Sequence, residues 1–283
     1  MRAIPKPTYA PNAAFDACVC DTKDGLLRSK LTEIAPEMLD VLGFYVAHAG
    51  QATLHTVPPS AHNDAERVIR QVTKGELKDL YDKQMIPRRK TARAIYDNLR
   101  AAAPGGICPT CGFGHVETID HFLPKSSYPW FSVLPENLIP SCRSCNTGKS
   151  AVIADDSQYF HPYYDIGPLM HEQWLYADIL FTNPISIWYE VRPPSGWTDA
   201  QKLRAKNHFR DYNLRSRFGV QAAAELSLLI PQFSDPPMDI HEIRDALDRK
   251  LRAARRYETN SWRIALYEAL GNSVTFCSLG FPY

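Results

Sequence analysis

Four of the seven cysteines form two CxxC pairs, Cys108 with Cys111 and Cys142 with Cys145. In a CxxC turn both sulfur atoms can face one centre, and four thiolates complete the tetrahedron that Zn²⁺ accepts in a structural site. Gly112 directly follows the first pair and suits the tight turn that such a pair requires. The spacing therefore predicts a structural zinc site. Four thiolates leave no open position on the metal, so this site alone does not predict catalysis.

The segment between and after the pairs holds residues suited to phosphodiester hydrolysis, a reaction that needs an activated water and a cation against the developing charge. His121 is suited to act as general base, because neutral imidazole takes up protons near about pH 7. Its neighbour Asp120 shares a strand-like segment, so the two side chains are expected on opposite faces. Asn146 offers an amide oxygen to Mg²⁺ or Mn²⁺. Lys149, one helical turn further on, can reach a phosphate, and Lys125 is a second candidate for that contact.

Taken in order, these residues resemble the signature of HNH nucleases in the form that carries four cysteines. The matching stretches are Asp120-His121, Asn137-Leu138-Ile139-Pro140 and the run CRSCNTGK from Cys142 to Lys149. The resemblance implies a ββα element, in which a β-hairpin carries the Asp-His pair and a helix that begins at the second cysteine pair faces it. The implied activity is that of a metal-dependent endonuclease that hydrolyses phosphodiester bonds in DNA.

The resemblance also implies a role for each polar residue of the motif. Asp120 reaches the catalytic metal, while His121 faces the attacking water. Asn146 replaces the final histidine that names the family and shares one Mg²⁺ or Mn²⁺ ion with Asp120. Asn137 braces the loop and orients His121 through backbone hydrogen bonds.

A weaker resemblance extends to the flanking segments. The stretches that carry it are KGELKDLYDK (74–83), FHPYYD (160–165) and WLYADI (174–179). They are similar to bacterial HNH proteins that act with an ATPase in anti-phage defence, such as Septu-type systems. This resemblance implies an antiviral role and a possible ATPase partner. The ATP site would belong to the partner, because this chain has no GxxxxGK[ST] phosphate loop of its own.

Three further features admit two interpretations each. His161, within FHPYYD, either approaches the metal or is an ordinary turn histidine. The basic runs at 88–93 and 249–256 either contact phosphates or form solvated surfaces. On a helix Arg249, Arg252 and Arg256 share one face.

Hydrophobic spacing predicts the elements around the cysteine-rich segment. Helices are expected over 29–49, 64–72, 76–81, 91–103, 198–217, 220–229, 240–257 and 261–270, a strand over 185–191, and an irregular lead-in over 1–25. The predicted fold class is α+β, a mainly α-helical body with a central zinc-bound ββα-metal (HNH) element. The predicted regions are an N-terminal helical region (1–106), the HNH element (107–165) and a C-terminal mainly helical region with a short strand (166–283).

Composition limits the other possibilities. The formal net charge of +1 neither favours nor excludes nucleic acid, since a basic face can lie within a neutral total. No run approaches the ~20 apolar residues that a membrane helix needs. The first residues lack the apolar core of a signal peptide. An odd number of cysteines, seven, argues against a disulfide scaffold. These features predict a cytoplasmic protein that does not bind membranes.

Two alternatives to a DNA endonuclease stay open at this point. The same site could cleave RNA, for instance tRNA, because a fold alone does not select the substrate. Alternatively, the cysteine-rich element could be a non-catalytic zinc-stabilised module that binds nucleic acid or protein. Such a module would be expected to lack either the Asp120-His121 pair or Asn146. The sequence has both, which favours the enzyme.

Overall fold

The computed structural model describes residues 1–148 and 157–279. It divides into two compact units, one of Ala3–Asp165 and the other of Met1–Arg2 with Ile166–Tyr283. Within the described residues, helices combine with two-stranded antiparallel sheets, which confirms the α+β class. No helix among these residues combines the length and the apolar character needed to cross a membrane.

The first unit contains both the N-terminal helices and the cysteine-rich element. Its helices are α1 (Ala13–Cys20), α2 (Gly25–Glu33), α3 (Ala35–Gly50), α4 (Lys74–Asp79), α5 (Arg93–Ala101) and α6 (Arg143–Gly148). Its strands are β1 (Arg67–Ile69), β2 (Val72–Thr73), β3 (Thr118–His121) and β4 (Leu138–Ser141). Short helical turns lie at Leu54–Thr56, Leu80–Met85, Pro104–Gly106, Pro129–Phe131 and Pro135–Asn137.

One hydrophobic core joins the helices of this unit to the β3–β4 hairpin. Its buried members include Phe15, Leu31, Met38, Leu77, Met85, Leu99, Ile119 and Leu138. Ile119 and Leu138 belong to the hairpin, so the strands that carry the predicted site are fixed by apolar burial. Full burial of one such side chain is worth about 1.5–3 kcal/mol. The N-terminal helices therefore form the support on which the predicted site rests.

Helix α4 is part of this support, and the local sequence fixes where the helix begins. Thr73 caps the helix, because its Oγ1 accepts from the Glu76 amide at 3.2 Å while the Glu76 carboxylate accepts from the Thr73 amide at 2.7 Å. This reciprocal cap satisfies two amides that a helix start leaves unpaired. The helix continues into the π-turn Leu80–Met85. That turn places Tyr81 in the core, and its hydroxyl donates to the Ile119 carbonyl of β3 at 3.5 Å.

The second unit is built on a hairpin covered by helices. Strands β5 (Leu175–Leu180) and β6 (Ser186–Val191) pair antiparallel. The helices are α7 (Pro168–His171), α8 (Asp199–Asp211), α9 (Leu214–Ser234), α10 (Ile240–Arg255), α11 (Trp262–Asn272) and α12 (Val274–Cys277). Buried Asn260 ties the loop before α11 to the hairpin, since its Oδ1 accepts from the amides of Trp174 and Leu175 at 2.8 and 3.1 Å.

Several predicted elements are wrong, and in each case local geometry explains why. Residues 64–72 were expected to be helical but contain β1 and the first residue of β2, because Arg70 adopts a left-handed turn with φ of +44°. Asn213, with φ of +49°, divides the helix expected over 198–217 into α8 and α9. The lead-in 1–25 contains α1. The strand expected over 185–191 is confirmed as β6, and its partner β5 was not predicted.

Candidate active site and metal centre

The four paired cysteines meet at one buried centre. Their sulfur atoms all lie within 4.8 Å of one another, and the Sγ atoms of Cys111 and Cys142 are 3.8 Å apart. With Zn–S bonds of about 2.3 Å, the corners of a tetrahedron lie about 3.8 Å apart. A disulfide would need an S–S distance of about 2.05 Å, and none of these four cysteines forms a disulfide. The residues therefore fit a metal ion such as zinc, as the spacing predicted.

Two glycines shape the turn of the first cysteine pair. Gly112 has φ of +75°, a left-handed conformation that glycine adopts without strain, and its amide donates to the Cys108 carbonyl at 2.9 Å. The amide of Gly114 donates to Cys111 Sγ at 3.3 Å. A Cβ atom at position 114 would lie 2.8 Å from Cys142 Sγ. Position 112 thus needs glycine for its backbone, and position 114 needs it for space.

Strands β3 and β4 hold the Asp-His pair in an antiparallel ladder. Asp120 is opposite Ile139 and His121 is opposite Leu138. Along β3 the burial alternates: Asp120 is half-buried and His121 is buried. This alternation agrees with the expectation that adjacent strand residues point to opposite faces.

Helix α6 covers the face of β3 that carries Asp120. The side-chain amide Nδ2 of Asn146 donates to Thr118 Oγ1 at 3.4 Å, and Thr118 shares its strand face with Asp120 because they are two residues apart. Asp120 and Asn146 therefore lie on the same side of the hairpin. Carboxylate and amide oxygens are the kind of ligand that Mg²⁺ or Mn²⁺ prefers, and the catalytic ion stays a prediction.

His121 is oriented by the backbone of the loop that follows it. Its Nε2 lies 2.8 Å from the carbonyl oxygen of Ser132, and the residue is only 8% exposed. A carbonyl can only accept, so Nε2 carries the proton and the lone pair of the neutral ring is on Nδ1. The ring also contacts the edge of Tyr81, with centroids 4.4 Å apart. The lone pair that a general base requires is thus assigned to Nδ1.

Asn137 connects both sides of the same loop. It is fully buried, its Oδ1 accepts from the Leu123 amide at 2.7 Å, and its Nδ2 donates to the carbonyls of Leu123 and Phe131 at 3.0 and 3.1 Å. Phe131 directly precedes Ser132, whose carbonyl holds His121. The predicted brace therefore rests on side-chain hydrogen bonds as well as on the backbone bond from the Phe122 amide to the Asn137 carbonyl at 2.8 Å.

Tyr81 is a neighbour of the site that motif reasoning missed. Burial raises the pKa of its hydroxyl, with further contributions from nearby Tyr96, Asp82 and Asp120. The stretch KGELKDLYDK contains Tyr81 and Asp82, so the resemblance of this stretch to HNH proteins was the signal that could have found them. Asp82 in turn holds Lys125, whose Nζ lies 2.5 Å from Asp82 Oδ1 and 5.0 Å from the centre of the Tyr81 ring. Lys125 thus lies beside the site but is engaged by a carboxylate, and Lys149 lies outside the described residues.

His161 is held by the protein through both ring nitrogens. Its Nδ1 accepts from the Tyr163 amide at 3.3 Å, and its Nε2 lies 3.0 Å from the Tyr45 hydroxyl. The ring is fully buried and stacks on Phe122 with centroids 4.2 Å apart. Of the two interpretations, this arrangement favours a structural histidine over a metal ligand.

The two basic runs are partly neutralised by nearby groups. In the first, Arg93 pairs with Asp97, while Arg88 and Arg89 are exposed. In the second, the partners are Asp248 for Arg252 and Glu268 for Arg255, while Arg249 and Arg256 are exposed. The exposed arginines remain available for phosphate contacts.

A buried four-cysteine cluster next to a β-hairpin and a short helix gives this chain a candidate metal centre. Protein ea31 of Escherichia phage lambda is 35% identical over 225 residues, which cover 74% of this chain and 76% of that protein. The chain therefore belongs to the same family as protein ea31. No protein-family model matches the chain, and no solved structure matches it.

Proposed function

We propose that the chain is a metal-dependent HNH-type endonuclease that hydrolyses phosphodiester bonds in DNA. The observation that carries the proposal is the combination of groups around β3. Asp120 and Asn146 offer hard oxygens on one face, while the Ser132 carbonyl leaves the lone pair of His121 on Nδ1. A zinc-binding scaffold without catalysis has no need for this combination.

The four cysteines are proposed to hold zinc as a structural ion. They tie the turn before β3 to the first turn of α6, where the amides of Cys145 and Asn146 both donate to the Cys142 carbonyl at 3.1 Å. Asn146 directly follows Cys145, so the zinc centre also fixes the position of a proposed ligand of the catalytic ion. A segment with so little regular structure gains much of its stability from a bound metal.

In the proposed reaction His121 acts as the base. Nδ1 takes a proton from water, the water oxygen forms a bond to phosphorus, and the bond to the leaving oxygen breaks, with that oxygen then protonated from solvent. The positive charge that develops on the ring is stabilised at Nε2 by the Ser132 carbonyl. Asp120 and Asn146 would hold Mg²⁺ or Mn²⁺, and the ion would supply positive charge against the charge that develops on the phosphate.

The test is cleavage of supercoiled plasmid DNA and of total RNA with Mg²⁺ or Mn²⁺, comparing the wild type with His121→Ala and with His115→Ala. His115 is an exposed histidine of the zinc turn and serves as the matched control. We expect metal-dependent cleavage of DNA that falls by about 100- to 10,000-fold in His121→Ala, the usual contribution of a general base, and is unchanged in His115→Ala. Circular dichroism establishes that both variants are folded.

Other outcomes would contradict the proposal in distinct ways. Cleavage of RNA alone would assign the same site to an RNA endonuclease. Full activity of folded His121→Ala would remove the proposed base. Absence of cleavage of both nucleic acids by folded, zinc-loaded protein would favour the binding module. The antiviral role and the ATPase partner rest on the resemblance to defence systems. They stay predictions, because this assay does not test them.

A further inference from the structure

An open groove of about 670 Å³ lies along the outer face of strand β6 in the second unit. Its walls come from α8 and from the start of α9, and its volume is in the ~300–1,000 Å³ range of ligand sites. Trp188 lies on this face, and its neighbours Ile187 and Tyr189 are buried. Trp188 itself is 42% exposed. The groove therefore presents a large aromatic ring to solvent, at some cost in hydrophobic burial.

Arg215 holds this ring in a defined orientation. Its guanidinium stacks over the indole of Trp188, 4.1 Å from the ring centroid, and its Nε donates to the Tyr189 carbonyl at 2.9 Å. The guanidinium covers one face of the indole, so a second ring that stacks on Trp188 would use the opposite face. An aromatic face fixed in this way can stack on a second flat ring with little further loss of side-chain entropy.

Three cations, Lys206, Arg210 and Arg215, also line the groove. Lys206 and Arg210 are exposed and lie one turn apart on α8. Arg210 pairs with Asp211, and the lining carboxylate Glu190 pairs with Arg192. Within residues 1–148 and 157–279, neither Lys206 nor Arg215 forms an ion pair with a carboxylate. The charge in the groove is therefore predominantly positive, with Lys206 and Arg215 free to meet an anion.

We propose that this groove binds a single-stranded segment of DNA, with one base stacked on Trp188 and phosphates against Lys206, Arg210 and Arg215. A cationic groove with an exposed aromatic ring is the combination that proteins use for single-stranded nucleic acid. The choice of DNA rests on the proposed function, because stacking on an indole does not distinguish DNA from RNA. The groove adds a binding surface for the substrate, separate from the β3–β4 hairpin.

The experiment measures binding of a fluorescein-labelled oligothymidylate by fluorescence anisotropy. It uses full-length protein with the His121→Ala substitution and no added Mg²⁺ or Mn²⁺, so that no cleavage interferes. We expect Trp188→Ala to weaken binding by about five- to 150-fold, the effect of losing one base–aromatic stack. Trp188→Phe should retain most of the affinity. Phe181→Ala removes an exposed aromatic of the same hairpin outside the groove and should change nothing.

Salt dependence tests the phosphate contacts. Loss of one contact to a single strand lowers the slope of log affinity against log salt concentration by about 0.7. We therefore expect this change for Lys206→Gln, whereas Lys202→Gln, on the same helix but outside the groove, should leave the slope unchanged. An RNA oligonucleotide in the same assay tests the choice of DNA, which rests on the proposed function.

The outcomes separate this inference from the proposed nuclease activity. If folded Trp188→Ala binds DNA as tightly as the parent protein, the groove is not the binding surface, even where the wild type cleaves plasmid. Tighter binding of RNA than of DNA would also overturn the assignment. If the groove variants lose DNA binding while the wild type cleaves no nucleic acid, the groove stands and the nuclease proposal fails.

Discussion

Replacement of Asn137 by alanine is the most direct test of how the loop around His121 is held. The substitution removes one acceptor and two donor bonds from a fully buried position. Without the Asn137 side chain, the backbone amide and carbonyl of Leu123 lose the hydrogen-bond partners that the structure gives them. The Phe131 carbonyl keeps its bond from the Leu134 amide at 3.3 Å. Two backbone groups of one residue are thus left buried without a partner.

The expected cost follows from those two groups. A buried polar group without a partner costs about 1–3 kcal/mol, so Asn137→Ala should lower the free energy of unfolding by roughly 2–6 kcal/mol. That is a large part of the about 5–15 kcal/mol that stabilises a typical domain. For a unit of this size each kcal/mol corresponds to about 2–4 °C in Tm, which gives a decrease on the order of 10 °C.

Thermal unfolding followed by circular dichroism, with zinc present throughout, measures this change. Asn98→Ala on α5 is the matched control, because Asn98 is exposed and its loss should shift Tm by very little. A decrease of less than about 1 kcal/mol for Asn137→Ala would refute the brace, since it would mean that the loop satisfies these groups by itself.

Asn137→Asp refines the same test. Its carboxylate can still accept from the Leu123 amide, but in place of the Asn137 Nδ2 it presents a charged oxygen to the carbonyls of Leu123 and Phe131. The folded state therefore favours the protonated acid, and the pKa of this aspartate is raised above its unfolded value. The stability of the variant is greatest below the unfolded pKa and is lost as the pH rises through the folded pKa. Equal destabilisation at acidic and neutral pH would contradict this reading.

Three further changes have defined outcomes. Gly114→Ala places a Cβ atom 2.8 Å from Cys142 Sγ, so bound zinc measured by metal analysis should fall, whereas an unchanged content would rule out the steric argument. Burial raises the pKa of Glu136, so its ionised carboxylate destabilises the folded state when the pH is above the unfolded pKa. Glu136→Gln should therefore raise Tm at neutral pH and not at acidic pH. Equal shifts of Tm at both pH values would contradict this prediction. Tyr81→Phe keeps the contact with the His121 ring and should retain cleavage, while Tyr81→Ala should lower it; a large loss in Tyr81→Phe would instead give the hydroxyl a role.

The metal centre was the most predictable part of the molecule. In a CxxC turn both sulfur atoms can point to one centre, so the spacing was enough to predict that Cys108, Cys111, Cys142 and Cys145 meet. The order of the motif also placed Asp120 and His121 on a strand and Asn146 on a helix. These features depend on short segments whose conformation is set by neighbouring residues.

The partners of these residues could not be predicted, because they come from distant segments or from the backbone. His121 is oriented by the carbonyl of Ser132, and a carbonyl leaves no signature in the sequence. Tyr81 reaches the site only because α4 continues into a π-turn. Strand β5 forms through its pairing with β6, and β-propensity is decided largely by such neighbours.

The four-cysteine cluster and Asn137 contact the same strand, β4, at opposite ends. Asn137 immediately precedes β4 and Cys142 immediately follows it, so the four residues Leu138–Ser141 connect the two. All four are buried, and their pairing with Thr118–His121 sets the position of the Asp-His pair. A loss at either end would let the same ladder shift, so the two contributions are coupled rather than additive. Strand β4 therefore connects the cysteines to the loop that orients His121, and a metal held by the cysteines would act on the position of the ring through this strand.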